Sequence, residues 1–307
     1  MTYRERRQLI AGLGFTSLWI VGLTVFTGYP VIASLYYSFC DYSILTSPVW
    51  CGLENYTQLV RDELFWKSLG NTLFFAALSV PLGTVVSLSL ALLLNADVRG
   101  KRVFRTLFYL PSIVPMVASA MLWLWLLNGQ YGLINLALRP VLGLIGVEPP
   151  LWLADPAWAK PALVLMSLWG TGNAMIIYLA GLQNVPRELY EAAAIDGASG
   201  WRRFWHVTLP MISPVVYFNV VMSLISSLQV FTQAFIMSAG AGGGAAGGTD
   251  GNPARSTLFY TLHLFATAFY DLRMGYASAM AYVLFVIIAA LTWLATRLSR
   301  DRVNYAK

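Results

Sequence analysis

Long stretches without charged side chains constrain this chain more than any other feature of its sequence. Asp, Glu, Lys and Arg are absent from 9–39, 68–96, 106–138, 161–186, 207–249 and 274–296. The shortest stretch has 23 residues, and about 20 apolar residues in a helix cross the roughly 30 Å hydrocarbon core of a bilayer. Charged residues make up 11% of the chain, against about 25% in soluble domains. The sequence therefore predicts an integral membrane protein.

Six membrane spans account for these stretches. We place them at about 10–36, 70–94, 106–127, 161–182, 212–237 and 275–296. They must be helices, because a backbone in hydrocarbon has to satisfy its own hydrogen bonds and the stretches lack the alternating pattern of barrel strands. The predicted fold is all-α, a polytopic membrane bundle of six transmembrane helices in a single domain over 1–307.

The basic residues predict how the spans are oriented. With the N-terminus in the cytoplasm, 14 Lys and Arg fall in cytoplasmic segments and 6 in outer segments, as the positive-inside rule requires. Both termini are then cytoplasmic. The net charge of +6 follows from this asymmetry, so a nucleic-acid-binding surface is less favoured. The first apolar run exceeds the length of a signal-peptide core, and we interpret it as a retained helix.

The outer segments leave two alternatives open. Cys40 and Cys51 lie in the first outer loop, where they either form a disulfide or remain free thiols. The segment 256–270 is too short to span a bilayer and predicts an interfacial or re-entrant helix. Small residues on the second span form a ridge that suits close helix packing, and they are Gly83, Ser87 and Ala91.

Catalytic and metal-binding motifs are missing from the sequence. It contains no G-x-x-x-x-G-K-[ST] phosphate loop, H-E-x-x-H pair, Cys/His cluster or G-x-S-x-G elbow. His206 and His263 are far apart, and we expect loop or interface roles for them. The span centres carry no ionisable side chain, which disfavours an ion-coupled transporter. We expect no catalytic residue, metal or cofactor on this chain.

The inner loop at 186–210 has a distinct local chemistry. Pro186 suits the first turn of a helix, and Gly197 can adopt the left-handed conformation that ends one. Ser199 can cap a second helix, and Pro210 begins the fifth span. The loop is therefore predicted to form two short helices that meet at a sharp turn, although an ordinary amphipathic loop has a similar composition.

The order of residues in this loop resembles the EAA loop of bacterial ABC importer permeases. The matching positions are Glu191, Ala192, Ala193, Asp196, Gly197, Ala198, Phe204, Leu209 and Pro210. The resemblance implies the type I ABC importer permease fold and a loop that docks into a separate ATPase subunit. ATP and Mg²⁺ are then expected on that ATPase, and the other expected partners are a second permease, a second ATPase copy and an external solute-binding protein.

Shorter motifs resemble the carbohydrate-uptake branch of this family. They are Gly52-Leu53-Glu54-Asn55-Tyr56, Phe65-Trp66, Asn71-Thr72, Tyr109-Leu110-Pro111 and Gly275-Tyr276-Ala277-Ser278-Ala279. The chain departs from the family where a short Gly-Gly-Pro turn is expanded into 240–253, which we interpret as a tolerated loop insertion. The resemblance implies import of a mono- or oligosaccharide across a bacterial or archaeal plasma membrane.

Polar residues on the fourth and fifth spans are candidates for the substrate pathway. Those on the fifth span share one helical face, and Trp169 and Asn173 are one turn apart on the fourth. Hydroxyls, amides and an aromatic ring suit a sugar, although interhelical hydrogen bonds use the same residue types. The predicted pathway residues are Trp169, Asn173, Asn219, Ser223, Ser226, Ser227 and Gln233.

Three other functions remain as alternatives. A glycerol-phosphate cargo would favour a cationic site in the path, and the predicted spans contain no Lys or Arg. An ion-coupled secondary transporter would need intramembrane charges or inverted repeats. A membrane-embedded enzyme would need a reactive cluster near the bilayer. The leading hypothesis is the permease subunit of a sugar importer, with a preference for neutral sugars.

Overall fold

The computed structural model describes residues 3–97, 99–144, 146–240 and 248–300, which are almost entirely helical. A two-stranded antiparallel hairpin, β1 (Cys40–Ser43) and β2 (Thr46–Trp50), joins the helices Tyr29–Ser38 and Glu54–Arg61. The helices are α1 (Tyr3–Leu23), α2 (Tyr29–Ser38), α3 (Glu54–Arg61), α4 (Glu63–Asn95), α5 (Lys101–Ile113), α6 (Met116–Leu126), α7 (Leu133–Gly143), α8 (Pro156–Trp169), α9 (Gly172–Gln183), α10 (Arg187–Ile195), α11 (Gly200–Arg203), α12 (Leu209–Leu228), α13 (Thr232–Gly240), α14 (Tyr260–Phe269) and α15 (Met274–Ser299).

The helices confirm the predicted all-α membrane fold. Four apolar helical segments in the described residues are long enough to cross a bilayer, at Arg6–Ser38, Glu63–Asn95, Gly200–Leu228 and Met274–Ser299. Two bent helix pairs bring the number to six if each pair is one span. The first segment is continuous because a π-helical stretch, Thr24–Gly28, joins α1 to α2. The single domain over 1–307 stays a prediction.

Two of the predicted spans are not straight helices. The third is the pair α5 and α6, bent by 100°, and the fourth is the pair α8 and α9, bent by 48°. Pro115 lies in the first break and has no backbone N–H to continue a helix. Gly170 and Thr171 form the second break. The fifth span also ends early, since 229–231 separate α12 from α13.

The predicted pair of short helices in the 186–210 loop is half correct. The first helix is α10. The second does not stop, because α11 continues through a π-helical stretch, Phe204–Thr208, into α12. Pro210 and Pro214 both lie within this run, and Pro210 comes two residues after the π-helical stretch, where the regular i→i−4 hydrogen bonds are already interrupted. The fifth span therefore begins at Gly200, about ten residues before the predicted position.

The chain forms two compact units, Met1–Asp62 with Leu264–Val286 and Glu63–His263 with Ile287–Lys307. In the first unit, Asn55 donates hydrogen bonds to the carbonyls of Ser38 and Cys40 at 3.0 and 2.9 Å. Cys40 and Cys51 are both free thiols. Burial raises the pKa of the Cys51 thiol. Gly275 packs so closely that a Cβ there would lie 2.0 Å from the Cys40 carbonyl oxygen.

The second unit has two buried apolar clusters. One includes Trp123, Leu163 and Phe259, and the other, which we call the inner cluster, is Leu88, Ala91, Leu94, Met175, Tyr178, Leu179, Leu182, Val185 and Ile212. The Asn71-Thr72 motif ties α4 to the segment before α14. Asn71 donates to the carbonyls of Arg255 and Leu258, and the Thr72 hydroxyl accepts from the Tyr260 N–H at 2.8 Å.

Several outer features differ from the sequence analysis. The β hairpin and α7 were not predicted, and the helix expected over 256–270 is confined to α14. Of the expanded Gly-rich tract at 240–253, residues 241–247 lie outside the described residues. The small-residue ridge on α4 has two roles, since Ala91 belongs to the inner cluster while Gly83 and Ser87 line a cavity.

Gly172 should be intolerant of any side chain. A Cβ at this position would lie 2.6 Å from the Phe108 carbonyl oxygen and 2.9 Å from the Tyr109 Cα, so α5 and α9 would have to separate. We expect Gly172→Ala to destabilise the protein by about 1–3 kcal/mol, as overpacked cores do. Thermal unfolding in mild detergent would measure the effect.

The matched control is Gly70→Ala on α4, where a Cβ meets nothing within 4 Å. That change should leave stability unaltered or slightly raised, because alanine loses less backbone entropy in a helix. Equal melting temperatures for the two variants would contradict the close approach of α9 to α5.

Candidate functional site: a polar cavity and an exposed coupling turn

A cavity of about 510 Å³ lies where the helix breaks of the second unit converge. Residues in or next to all three breaks line it, including Met116, Thr171 and Phe231. The segment 229–233 contributes every one of its residues. Irregular backbone at membrane depth is tolerated where it lines a cavity, because its polar groups can be solvated there. The breaks and the cavity are therefore one feature.

Six of the seven predicted pathway residues line this cavity. They are Asn173, Asn219, Ser223, Ser226, Ser227 and Gln233. Trp169 does not line it, because its ring packs against Trp123 with the centroids 6.1 Å apart and the planes at 75°. Aromatic surface comes instead from Phe75, Tyr178 and Phe231.

Helix α4 supplies a wall of the cavity that the sequence analysis missed. Ser79, Thr84 and Ser87 line it, together with Gly83. The Thr84 and Ser87 hydroxyls donate to the carbonyls of Val80 and Gly83 at 2.8 and 2.6 Å. Ser79, Thr84 and Ser87 are five and three residues apart, and of these residues only Ser87, with Gly83, belonged to the predicted packing ridge. The hydroxyl oxygens keep lone pairs that can accept from a solute.

The cavity presents hydroxyl, amide and aromatic groups without formal charge. None of its lining residues is Asp, Glu, Lys, Arg or His. Asn219 donates through Nδ2 to the Val215 carbonyl at 2.9 Å, and Gln233 donates to the Met116 sulfur at 3.1 Å. An uncharged polar lining with aromatic faces can hold hydroxyl-bearing solutes by several modest hydrogen bonds.

The turn at 196–199 ends α10 with a Schellman motif. The Ala198 N–H donates to the Ala193 carbonyl at 2.9 Å, and the Gly197 N–H to the Ala194 carbonyl at 3.1 Å. Gly197 has φ of +73°, which favours glycine over any L residue. The Ser199 hydroxyl then accepts from the Arg202 N–H at 3.5 Å and caps α11. The chain reverses here within four residues.

The solvent-facing side of this turn exposes large apolar side chains beside small and acidic ones. No residue of α10 is buried. Ile195 is 87% exposed and Trp201 is 70% exposed. Glu191, Ala192, Asp196 and Gly197 are exposed, and Ala193 and Ala198 are half-buried. Large apolar side chains exposed beside small ones form a surface that another protein can cover.

The inner face of the same loop is fixed to the fifth span. The Tyr190 hydroxyl hydrogen-bonds to the Thr208 hydroxyl at 3.0 Å, which joins α10 to the π-helical stretch. Tyr190, Phe204 and Leu209 pack against the inner cluster. The remaining predicted residue, Pro210, is half-buried in the first turn of α12. The structure thus brings the predicted coupling residues into one loop anchored on one core.

The loop between α4 and α5 has its own electrostatic contact. Lys101 donates a hydrogen bond to Asp97 at 2.9 Å, which together with its positive charge lowers the pKa of that carboxyl. Arg99, Arg102 and Arg105 lie nearby in sequence. Within the described residues, no group of three or more His, Cys, Asp and Glu side chains could hold a metal ion.

Comparisons with known proteins agree with this architecture. The family model described as "Binding-protein-dependent transport system inner membrane component" matches residues 79–304. The chain is 40% identical over 303 residues to the probable ABC transporter permease protein YesP of Bacillus subtilis, covering 98% of this chain and 94% of that protein. It is 35% identical to the lactose transport system permease protein LacF of Rhizobium radiobacter, covering 97% of each.

A solved structure has the same fold. A chain of a bacterial alginate ABC transporter, in complex with an alginate pentasaccharide-bound periplasmic protein, superposes with a TM-score of 0.79. The match covers 97% of this chain and 96% of that one at 24% sequence identity. The type I importer permease fold inferred from the 186–210 motif is therefore confirmed.

Solvent access to the cavity can be measured with single cysteines. In a Cys40→Ser/Cys51→Ser background, we expect Ser226→Cys to react with a water-soluble thiol reagent, because the side chain faces the cavity. Ala162→Cys should react at least about tenfold more slowly, since Ala162 is fully buried and buried groups exchange only through local opening. Equal rates would contradict the position of the cavity.

Proposed function

Since the chain belongs to the family of binding-protein-dependent transport system inner membrane components, we propose that it is the permease subunit of an ATP-driven importer of a mono- or oligosaccharide. A transport subunit of this family is not itself an enzyme. ATP and Mg²⁺ would be bound by a separate ATPase chain, because this sequence has no phosphate loop.

One observation supports the transport mechanism above all others. The helical run Gly200–Leu228 begins at the exposed turn and carries Asn219, Ser223 and Ser226 into the cavity. A helix transmits displacement along its axis, since each residue is tied to the next turn by backbone hydrogen bonds. A partner that moves the turn would therefore move the lining of the cavity.

The exposed turn is the docking element for the ATPase in this proposal. Glu191, Ala192 and Ala193 present a small-residue surface that allows close approach, and Asp196 and Gly197 fix the reversal of the chain. Phe204, Leu209 and Pro210 connect the turn to the span. When two ATPase copies close on ATP, the loop would follow them, and the breaks at 114–115, 170–171 and 229–231 are the places where the bundle can bend.

The carbohydrate cargo is supported by the chemistry of the cavity and by a relative. Hydroxyl and amide groups beside Phe75, Tyr178 and Phe231 suit the hydroxyls and C–H faces of a sugar ring. A relative that matches over 97% of this chain is named for lactose transport. A glycerol-phosphate cargo is the second candidate and would require a cationic site on the path.

The complete importer would contain a second, related permease, two ATPase copies and an extracytoplasmic solute-binding protein. The chain would cross the plasma membrane of a bacterium or archaeon with both termini in the cytoplasm, as the 14 to 6 distribution of Lys and Arg favours. Weak contacts in the cavity would suffice for passage, because the binding protein can supply most of the selectivity.

Purification of the tagged chain from its native membrane in mild detergent tests the partners. We expect a P-loop ATPase and a second permease to co-purify, and both should remain with Glu54→Gln, which lies outside the loop. The ATPase should be lost from Glu191→Arg, which places a bulky cation on the small-residue surface. Recovery of the chain alone, even after cross-linking, would favour a secondary transporter.

Gly197→Pro tests the coupling role of the turn. Proline fixes φ near −65° and removes the N–H that donates to Ala194, so the Schellman motif cannot form. We expect normal abundance in the membrane, at least about tenfold slower sugar uptake, and ATP hydrolysis that no longer depends on the solute-binding protein, because the strain and lost hydrogen bond together cost several kcal/mol.

Gly200→Pro is the matched control. Gly200 is the first residue of α11 after the Ser199 cap, where proline is tolerated. A Cβ at this position meets nothing within 4 Å. Uptake by Gly200→Pro should stay near the unmodified level. Equal uptake by both proline variants would contradict a coupling role for the turn.

A further inference from the structure

The helices that line the cavity carry two lysines at the end remote from the 186–210 loop. Lys67 lies in α4 and Lys160 in α8. The predicted spans 70–94 and 161–182 contain no Lys or Arg, but α4 begins at Glu63 and α8 at Pro156, so both helices extend beyond the predicted spans. Lys67 and Lys160 lie in these extensions, at the ends of the two helices.

The ammonium group of Lys160 is held in a fixed position. Its Nζ donates to the Asn71 Oδ1 at 3.2 Å and lies 4.7 Å from the centroid of the Phe74 ring. Asn71 is buried, and its Nδ2 is fixed by the carbonyls of Arg255 and Leu258. In the described part of the chain Lys160 donates to Asn71 alone, so two of its three N–H donors can serve a ligand.

The positive charge around Asn71 is not neutralised by the described residues. Lys67 is exposed and lies one turn before Asn71 on α4, so it adds a second positive charge near the Lys160 ammonium group. Neither lysine forms an ion pair within the described residues, although Glu63 lies one turn before Lys67 and Asp155 caps α8. Like charges held near each other raise the free energy of the site, and a bound anion would offset this.

The lysines lie on two of the helices that line the cavity. On α4, Lys67, Asn71, Phe75 and Ser79 follow at intervals of four residues, and Phe75 and Ser79 line the cavity. On α8, Lys160 and the lining residue Ser167 are two turns apart, about 10 Å along the helix. The two lysines therefore stand at one end of the polar path. The 186–210 loop follows the C-terminal end of α9, at the opposite end of that path.

We propose that Lys67 and Lys160 form an anion-binding site at the outer end of this path, and that the cargo is a saccharide bearing a carboxylate. This inference rests on the proposed function and narrows its substrate class. A carboxylate would accept from both ammonium groups, in charge-assisted hydrogen bonds that are stronger than neutral ones. The remaining sugar hydroxyls would meet the uncharged hydroxyls and amides of the cavity.

The separation of charged and neutral sections suits transport. A site at the mouth attracts an anion and raises its local concentration. The cavity beyond it has no cation to hold that anion tightly. Conduction requires binding that is strong enough for capture and weak enough for release. A lysine pair inside the cavity would bind the anion too tightly for release.

Uptake of matched oligosaccharide mixtures tests the site in cells that carry the complete importer. The probes are a labelled polygalacturonate hydrolysate and the same hydrolysate after carboxyl reduction, which yields neutral oligosaccharides of the same lengths. Cells lacking this chain define the background. We expect the acidic mixture to be taken up faster, and the Lys67→Gln/Lys160→Gln double variant to lose roughly tenfold or more of this uptake, with neutral uptake unchanged.

Arg139→Gln is the matched control. Arg139 is another outer-segment cation, it donates to the Gln130 carbonyl at 2.9 Å, and it lies on α7 outside the lysine pair. The Arg139→Gln variant should support uptake of both mixtures at the level of the unmodified chain. Salt should reduce acidic uptake by the unmodified chain more than by the double variant, because exposed charges are screened.

Each of the other outcomes would refute one specific claim: the acidic cargo, the anion site or the proposed function. Chain-dependent uptake of neutral oligosaccharides alone would refute the acidic cargo and leave the proposed sugar importer intact. An equal loss of acidic and neutral uptake in the double variant would assign the lysines to docking of the solute-binding protein and refute the anion site. Absence of chain-dependent uptake of either mixture, together with purification of the chain without an ATPase, would refute the proposed function itself.

Discussion

The demand that backbone groups in hydrocarbon be hydrogen-bonded governs this structure. Continuous helices such as Glu63–Asn95 and Met274–Ser299 meet this demand with their own backbone hydrogen bonds. The breaks at 114–115, 170–171 and 229–231 leave N–H and C=O groups without helical partners. Residues at or beside all three breaks line one polar cavity. The same irregularity that a membrane penalises elsewhere is thus concentrated at a polar cavity, where solute or water can hydrogen-bond to it, and the bends mark the proposed transport path.

The helical run from Gly200 to Leu228 connects this cavity to the exposed turn. Its continuity depends on local chemistry at both ends of the turn. Gly197 permits the reversal, Ser199 starts the next helix, and the π-helical stretch Phe204–Thr208 adjusts its register before Pro210. Wide turns of this kind are common at functional sites. The hydrogen bond between Tyr190 and Thr208 and the packing of Tyr190 on the inner cluster join the loop to the span through side chains as well as through the backbone.

The sequence predicted the elements that depend on composition and on local turn chemistry. The charge-free stretches gave the spans, and the 186–210 pattern gave the family, the reversal at Gly197 and the cap at Ser199. Tertiary contacts decided the rest. Trp169 is one turn from Asn173, but the 48° bend between α8 and α9 turns it towards Trp123. The β hairpin is stabilised by Asn55, whose carbonyl partners are 15 and 17 residues away. No periodicity signals such contacts.

Lys67 and Lys160 show that a count of basic residues on each side of the membrane does not describe the surroundings of each charge. Under the predicted orientation, 14 of the 20 basic residues lie on the cytoplasmic side, and the six remaining cations depart from the positive-inside rule. Arg139 donates to the Gln130 carbonyl, whereas Lys160 is half-buried, donates to Asn71 and lies near Lys67. A half-buried cation beside a second cation is retained only where another contribution compensates its cost. The hydrogen bond to Asn71 and the Phe74 ring contribute to this compensation and orient the cation, and in our proposal a bound carboxylate supplies the remainder.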